Sequence, residues 1–191
     1  MAGRNRALPT LAAESNSFNK SYSSVSEDKP CIFLSHISLD KVAVKGIADY
    51  IMKKAGIDVY LDIHDDALQR AVNRGDSEEI TALIERGITS SSHAMCLISE
   101  ETINSWWVPY ELGYAKKSGK EISCLKLKGT VDLPDFLKIG TLIRGTKSLN
   151  EYIESVIRTH NLTKSGSDIN ESLESHINSN HPLDNILDWN F

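Results

Sequence analysis

PCIFLSHISLDKVAVKGIADYIMKKAGIDVYLD, residues 30–62, places a strand, a helix and a second strand in immediate succession. Cys31-Ile32-Phe33-Leu34-Ser35 is a short, almost wholly apolar run after a proline, the pattern of a buried strand. Val44, Ile47, Ala48, Ile51 and Ala55 then recur at helical spacing and form one apolar face. Gly56 follows as the expected C-terminal stop. Ile57-Asp58-Val59-Tyr60-Leu61-Asp62 is the second strand.

The alternation continues outward. His93 to Ser99 (HAMCLIS), Ile122 to Leu127 (ISCLKL) and a short Thr141 to Arg144 (TLIR) read as three further strands. Between them lie helix patterns. Ile80, Leu83, Ile84 and Ile88 share a face, with Asp76 or Ser77 as N-cap. A helix over Ser105 to Lys117 accepts Pro109 only in its first turn. The last helix runs from about Leu149 to Arg158. Strand alternating with helix predicts an α/β protein, a doubly wound parallel five-stranded sheet with helices on both faces. Ligands of such sheets bind beyond the C-terminal strand ends. That rule selects Ser35-His36-Ile37-Ser38, the stretch from Asp62 to Arg74, the stretch from Ser99 to Glu111, and the loop after Leu127.

Ser105-Trp106-Trp107-Val108-Pro109-Tyr110-Glu111-Leu112 crowds three aromatic rings and a carboxylate into one of those places. Trp107 and Glu111 stand at i and i+4 and share a helix face. Here the sequence resembles the bacterial Toll/interleukin-1 receptor (TIR) domain family. Phe33-Leu34-Ser35-His36 is similar to the family's opening box, and Leu61-Asp62 closes the second strand ahead of a long loop as the family's does. Gly75-Asp76, Leu97-Ile98-Ser99 and Ser105-x-Trp107-Val108-x-x-Glu111-Leu112 complete five boxes in order across residues 30–159.

The resemblance implies a flavodoxin-like fold and cleavage of NAD+ as a substrate, with no separate cofactor. It implies that Glu111 is the catalytic carboxylate. Trp107 and Tyr110 would line the nicotinamide-ribose pocket. Phe33, Ser35 and His36 would form another wall, and Asp62 and Ser99 would complete the substrate-binding set. The loop after Asp62 corresponds to a region that mediates assembly, so a homo-oligomer is expected. Short stand-alone proteins of this kind resemble the signal-producing component of Thoeris-type antiphage defence, in which a separate effector protein responds to the nucleotide product.

The chemistry suits one carboxylate. Breaking the bond between ribose and nicotinamide builds positive charge on the sugar, while the leaving group departs neutral. A general acid is unnecessary, and one carboxylate beside the anomeric carbon stabilises the oxocarbenium-like transition state. Ordinary glycosidases need a pair. Aromatic faces would stack on the nicotinamide and exclude water.

Plainer readings stand beside these. Glu111 also fits an exposed helix carboxylate favoured by the dipole. One of Trp106 and Trp107 is expected in the core, because adjacent helix residues diverge by about 100°. His36 fits a hydrogen-bonded structural histidine as well as a pocket residue, and Ser35 fits a loop cap. Asp62, Asp65 and Asp66 read as a solvated acidic loop rather than a Mg2+ site. The six histidines show no ligand spacing, so no metal is expected. A non-catalytic TIR interaction module is the competing function. A phosphoacceptor receiver would need paired acids after the first strand, where this chain has Ser35-His36-Ile37-Ser38. A nucleoside deoxyribosyltransferase lacks the WVPYEL match.

Composition bounds the rest. The 191 residues are 40% hydrophobic and 25% charged, ordinary values for one globular domain with length to spare. No apolar run nears ~18 residues, and the N-terminus lacks the ~7–15-residue apolar stretch of a signal peptide, so a cytoplasmic protein is expected. Cys31, Cys96 and Cys124 each fall in an apolar run and read as buried thiols. Residues 1–29, with six serines between Ser15 and Ser26, read as a disordered N-terminal arm. Residues 160–191 hold one Lys/Arg against five Asp/Glu, so most of the net charge of −5 sits in this acidic C-terminal tail. No block is basic, which argues against nucleic-acid binding. The tail's end reads either as a frayed terminus or as a docking peptide, with Leu183, Ile186, Leu187 and Trp189 forming an apolar face for a groove.

Overall fold

The computed structural model describes residues 2–8, 29–62, 66–129, 133–160 and 181–188. Five parallel strands form one sheet in the order β2-β1-β3-β4-β5. They are β1 (Cys31–Ser35), β2 (Asp58–Tyr60), β3 (His93–Ile98), β4 (Glu121–Lys126) and β5 (Thr141–Ile143). This is the flavodoxin-like doubly wound order, and its direction of winding reverses between β1 and β3.

Helices α1 (Lys41–Tyr50) and α5 (Thr146–Thr159) cover one face. Helices α2 (Asp66–Arg74), α3 (Ser77–Thr89) and α4 (Trp107–Lys117) cover the other. Strand alternation divides the core between them. Ile32 and Leu34 of β1 pack under α1 and α5, while Cys31 and Phe33 face the α2–α3 side with Tyr60 and Ile88. Ser35 continues the second set, so its hydroxyl points to the side where α4 lies.

All five apolar positions read for the first helix are buried. Its last turn, Ile51–Ala55, widens to i→i+5 hydrogen bonding before Gly56 at φ 69° ends it. Asp76 caps α3 by accepting from the Glu79 N–H at 3.0 Å. Helix α2 corrects the expectation of an irregular loop between Asp62 and Arg74. Leu68 and Ala71, one turn apart, are buried against the sheet, which suffices to fix nine residues as a helix. The three cysteines are free and buried, and burial pushes Cys31 and Cys124 each up to about 11, which keeps these thiols unreactive.

Two flanking segments belong to the domain, contrary to the arm and tail expected of them. Residues 4–6 run parallel to the β2 edge, with Val59 N–H donating to Arg4 O at 3.0 Å and Arg6 N–H to Val59 O at 2.8 Å. Their anchor is Asp58, which is 2% exposed and takes Arg6 Nε at 2.9 Å, Lys29 Nζ at 2.6 Å and the Arg4 N–H at 3.0 Å. Residues 181–188 return to the opposite end of the sheet. Leu183 and Leu187 enter the α1–α5 core, and His181 packs on Tyr50 at 5.2 Å between rings. The Lys128 and Thr146 N–H groups donate to Ile186 O and Asp188 O. Gly46 of α1 lies against this segment, and a Cβ there would come within 2.8 Å of Ile186 Cδ1, so that side-chain tip would have to shift. The groove for the apolar face thus lies on this same chain; Trp189, also assigned to that face, lies outside the described residues, as do Asp65, residues 9–28 and residues 161–180. Among the described residues no helix is long and apolar enough to cross a membrane.

Candidate active site

The site forms where the winding reverses, at the C-terminal ends of β1 and β3. Helix α4 begins at this edge. Ser105 Oγ accepts from the Val108 N–H at 3.2 Å, and Pro109 occupies the first turn, where no N–H is needed. Val108, Leu112 and Ala115 form the buried stripe of α4, and Glu111 falls within it. A carboxylate therefore occupies a core position, only 6% exposed. The reading of Glu111 as an exposed helix carboxylate is excluded by that burial.

Ser35 meets Glu111 across the α4–sheet interface. Its hydroxyl donates to Glu111 Oε2, and its strand-register partner on β3 is Cys96. Among the described residues no cationic side chain bonds or pairs with the Glu111 carboxyl. Burial pushes Glu111 up to about 8; the Ser35 hydrogen bond works against that rise, and the negative charge of Asp62 adds to it. That upward push favours the protonated carboxylic acid at neutral pH.

His36 and Asp62 sit beside this pair. His36 Nδ1 bonds the Leu34 carbonyl at 3.0 Å, and Nε2 faces Asp62 Oδ1 at 3.8 Å. The His36 side chain is 6% exposed and that of Asp62 24%.

The aromatic residues stand at the mouth. Trp107 is 41% exposed and Trp106 92%, so neither enters the core, against the expectation for one of them. Both precede the point at which α4 reaches the sheet. Trp107 meets Tyr110 edge to face at 6.0 Å. Tyr110 is fixed by donating to Glu85 Oε1 of α3 at 2.5 Å, a bond that pushes its own pKa up to about 12. Glu85 was not among the sequence-derived site residues, and nothing in its helical pattern marks it.

Two expected members lie apart. Phe33 is 2% exposed and stacks on Tyr60 at 5.8 Å, forming the floor below Ser35 rather than a pocket wall. Ser99 Oγ donates to Asp40 Oδ2 at 2.7 Å. That bond ties the loop after β3 to the loop after β1 and shapes the rim. Among the described residues no group of three or more His, Cys, Asp or Glu is placed to hold a metal ion.

The family model described as "TIR domain" matches residues 32–155. A probable 3' cyclic ADP-D-ribose synthase, ThsB', of Bacillus cereus (strain MSX-D12) is 31% identical over 128 residues. That match covers 61% of this chain and 64% of the Bacillus protein, so the chain spans slightly less than two thirds of its relative's length. The crystal structure of the TIR domain of the Toll-related receptor TRR-2 from Hydra magnipapillata superposes with a TM-score of 0.52 and 15% identity. It covers 68% of this chain and 97% of that domain, a likeness of fold.

Proposed function

The chain belongs to the TIR domain family, and from that premise we propose that it cleaves NAD+ between nicotinamide and ribose to make an ADP-ribose-derived signal. The observation that carries this reading is Glu111: a buried carboxyl, hydrogen-bonded by Ser35, with no cationic partner among the described residues, one helical turn below an exposed tryptophan. NAD+ supplies the missing cation. Its positively charged nicotinamide ring stacks on Trp107, whose orientation the Tyr110–Glu85 bond steadies. The cation lowers the cost of ionising Glu111, which loses its proton as substrate enters. The carboxylate then faces the anomeric carbon while positive charge shifts from the ring nitrogen to the ribose. Nicotinamide leaves neutral. No cofactor beyond the substrate takes part.

The name of the Bacillus relative supports a cyclic ADP-ribose as the product; a role in antiphage signalling through a separate effector protein is part of the same proposal. Self-association belongs to the same proposal. Leu39 and Val42 at the start of α1 and Trp106 before α4 are exposed apolar side chains on the edge that carries the site. Sizing the protein with and without a non-hydrolysable NAD+ analogue tests assembly; a strict monomer that turns over NAD+ rapidly would contradict it.

The direct test is nicotinamide release from NAD+ at high protein concentration, with mass spectrometry of the nucleotide product. Wild type should release nicotinamide, and Glu111→Gln should not. Release that survives the substitution removes Glu111 as catalyst. No release by wild type under oligomerising conditions favours the interaction module.

A further inference from the structure

Glu111 serves the departing nicotinamide, but the incoming nucleophile makes a separate demand. When a hydroxyl attacks the anomeric carbon, its oxygen becomes cationic until it sheds a proton, so a base close to the attacking oxygen lowers the barrier. Glu111 is committed to the sugar cation and to Ser35. Among the described residues, His36 offers a suitable lone pair: it follows Ser35, the hydrogen-bond partner of Glu111, in the chain and faces Asp62, whose charge acts on Glu111.

The tautomer of His36 follows from its partner. Leu34 O is a carbonyl and only accepts, so Nδ1, at 3.0 Å, carries the hydrogen. In the neutral ring Nε2 is then left with its lone pair. That nitrogen faces Asp62 Oδ1 at 3.8 Å, beyond hydrogen-bond reach, as expected for a lone pair opposite a carboxylate. Protonating Nε2 turns the same contact into an attraction. The side chain is almost buried, which holds the ring in one orientation.

We propose that His36, paired with Asp62, is the general base that takes the proton of an oxygen nucleophile at this site. The inference rests on the NAD+ reading of Glu111 and extends it to the second half of the reaction. The C–N bond to nicotinamide breaks and its electron pair neutralises the ring nitrogen. A hydroxyl lone pair forms the new C–O bond at the anomeric carbon. The hydroxyl proton moves to Nε2, and the imidazolium, balanced by Asp62, later returns it to solvent. Water as nucleophile gives ADP-ribose; a ribose hydroxyl of the same molecule gives an O-glycosidic cyclic ADP-ribose. Among the described residues, the charged or titratable groups facing this corner are Asp62, just beyond β2, and Glu111 on α4, and neither Ser35 nor Glu111 is bonded to the His36 ring.

The test uses two nucleophiles on one enzyme. 3-Acetylpyridine attacks through a nitrogen lone pair and needs no proton removed, so pyridine exchange reports on Glu111 alone. Hydrolysis or cyclisation needs the base. In His36→Gln, and to a smaller degree in Asp62→Asn, the ratio of O-linked product to exchange product should fall about 100-fold relative to wild type. A ratio that stays at the wild-type value overturns the proposal, whether both reactions persist or both decline together. A wild-type product linked through adenine nitrogen also overturns it, while leaving the NAD+ reading intact. Wild-type protein that neither releases nicotinamide nor exchanges pyridine overturns the NAD+ reading, and the base with it.

Discussion

Two carboxylates are buried at opposite ends of the same sheet, and they are treated in opposite ways. Asp58 opens β2 at the N-terminal edge and is 2% exposed; Glu111 lies at the C-terminal edge and is 6% exposed. Burial pushes both upward. At Asp58 hydrogen bonds from Lys29, Arg6 and the Arg4 N–H outweigh that push, and the carboxyl ends below its ordinary range. At Glu111 one serine hydroxyl does not outweigh it, and the value ends at about 8. A structural carboxylate carries its own compensation. The other has no cationic partner among the described residues, at the edge where ligands of such sheets bind; in the proposed reaction a cationic substrate supplies one.

The largest expected effect comes from removing the uncompensated member. Glu111→Gln should lower the rate of nicotinamide release by about 10²–10³-fold or more, measured by single-turnover assay. The fold should remain intact, since the amide keeps the shape. Asp58→Ala should do the reverse. It strands Arg6 and Lys29 and should cost about 3 kcal/mol in a urea melt, with nicotinamide release per folded molecule unaffected. An activity loss there that exceeds the folded fraction breaks the division of roles.

The two groups should also give stability slopes of opposite sign. Glu111 has its folded value raised, so between about 4.5 and about 8 the native state holds more protons than the unfolded one. Its contribution falls as pH rises through that window. Glu111→Gln removes the penalty and should stabilise the protein by on the order of 2–4 kcal/mol at pH 8, with little gain at pH 5. Asp58, with its folded value lowered from 3.8, contributes stability above that pH and loses it on acidification. Thermal melts across pH 3–9 check both. The smallest effect is expected from Ser35→Ala. Losing the one bond that favours the carboxylate should move the rising limb of the pH–rate profile to higher pH, with about a tenfold loss of rate at neutral pH.

How much of this was legible depends on where each partner lies in the chain. The strands and α1 announce themselves because burial on one face imposes a local period, as in Val44, Ile47, Ala48, Ile51 and Ala55. Glu111 was legible through its aromatic neighbours, and a plainer signal was also present: it interrupts the apolar stripe Val108, Leu112, Ala115. The Arg4-Asn5-Arg6 segment was not legible. Polar residues without periodicity become ordered there because Asp58 and the Val59 backbone, more than 50 positions away, complete their bonds. The return of residues 181–188 was half legible: the apolar face was visible, but its groove is built by α1 and α5, far off in the chain. The Trp pair misled because a helical wheel fixes directions, whereas burial depends on where the helix meets the sheet. The His36–Asp62 pair joins the ends of two neighbouring strands and has no local signature at all.

The central claim is that Glu111 is a buried carboxyl kept neutral until a cation arrives. Carboxyl-carbon NMR of the protein labelled at glutamate, with Glu111→Gln for assignment, measures this directly. The expected titration midpoint lies near 8 in the free protein and moves to lower pH when a non-hydrolysable NAD+ analogue binds. A midpoint in the ordinary range of about 4–5, unmoved by the analogue, would contradict it.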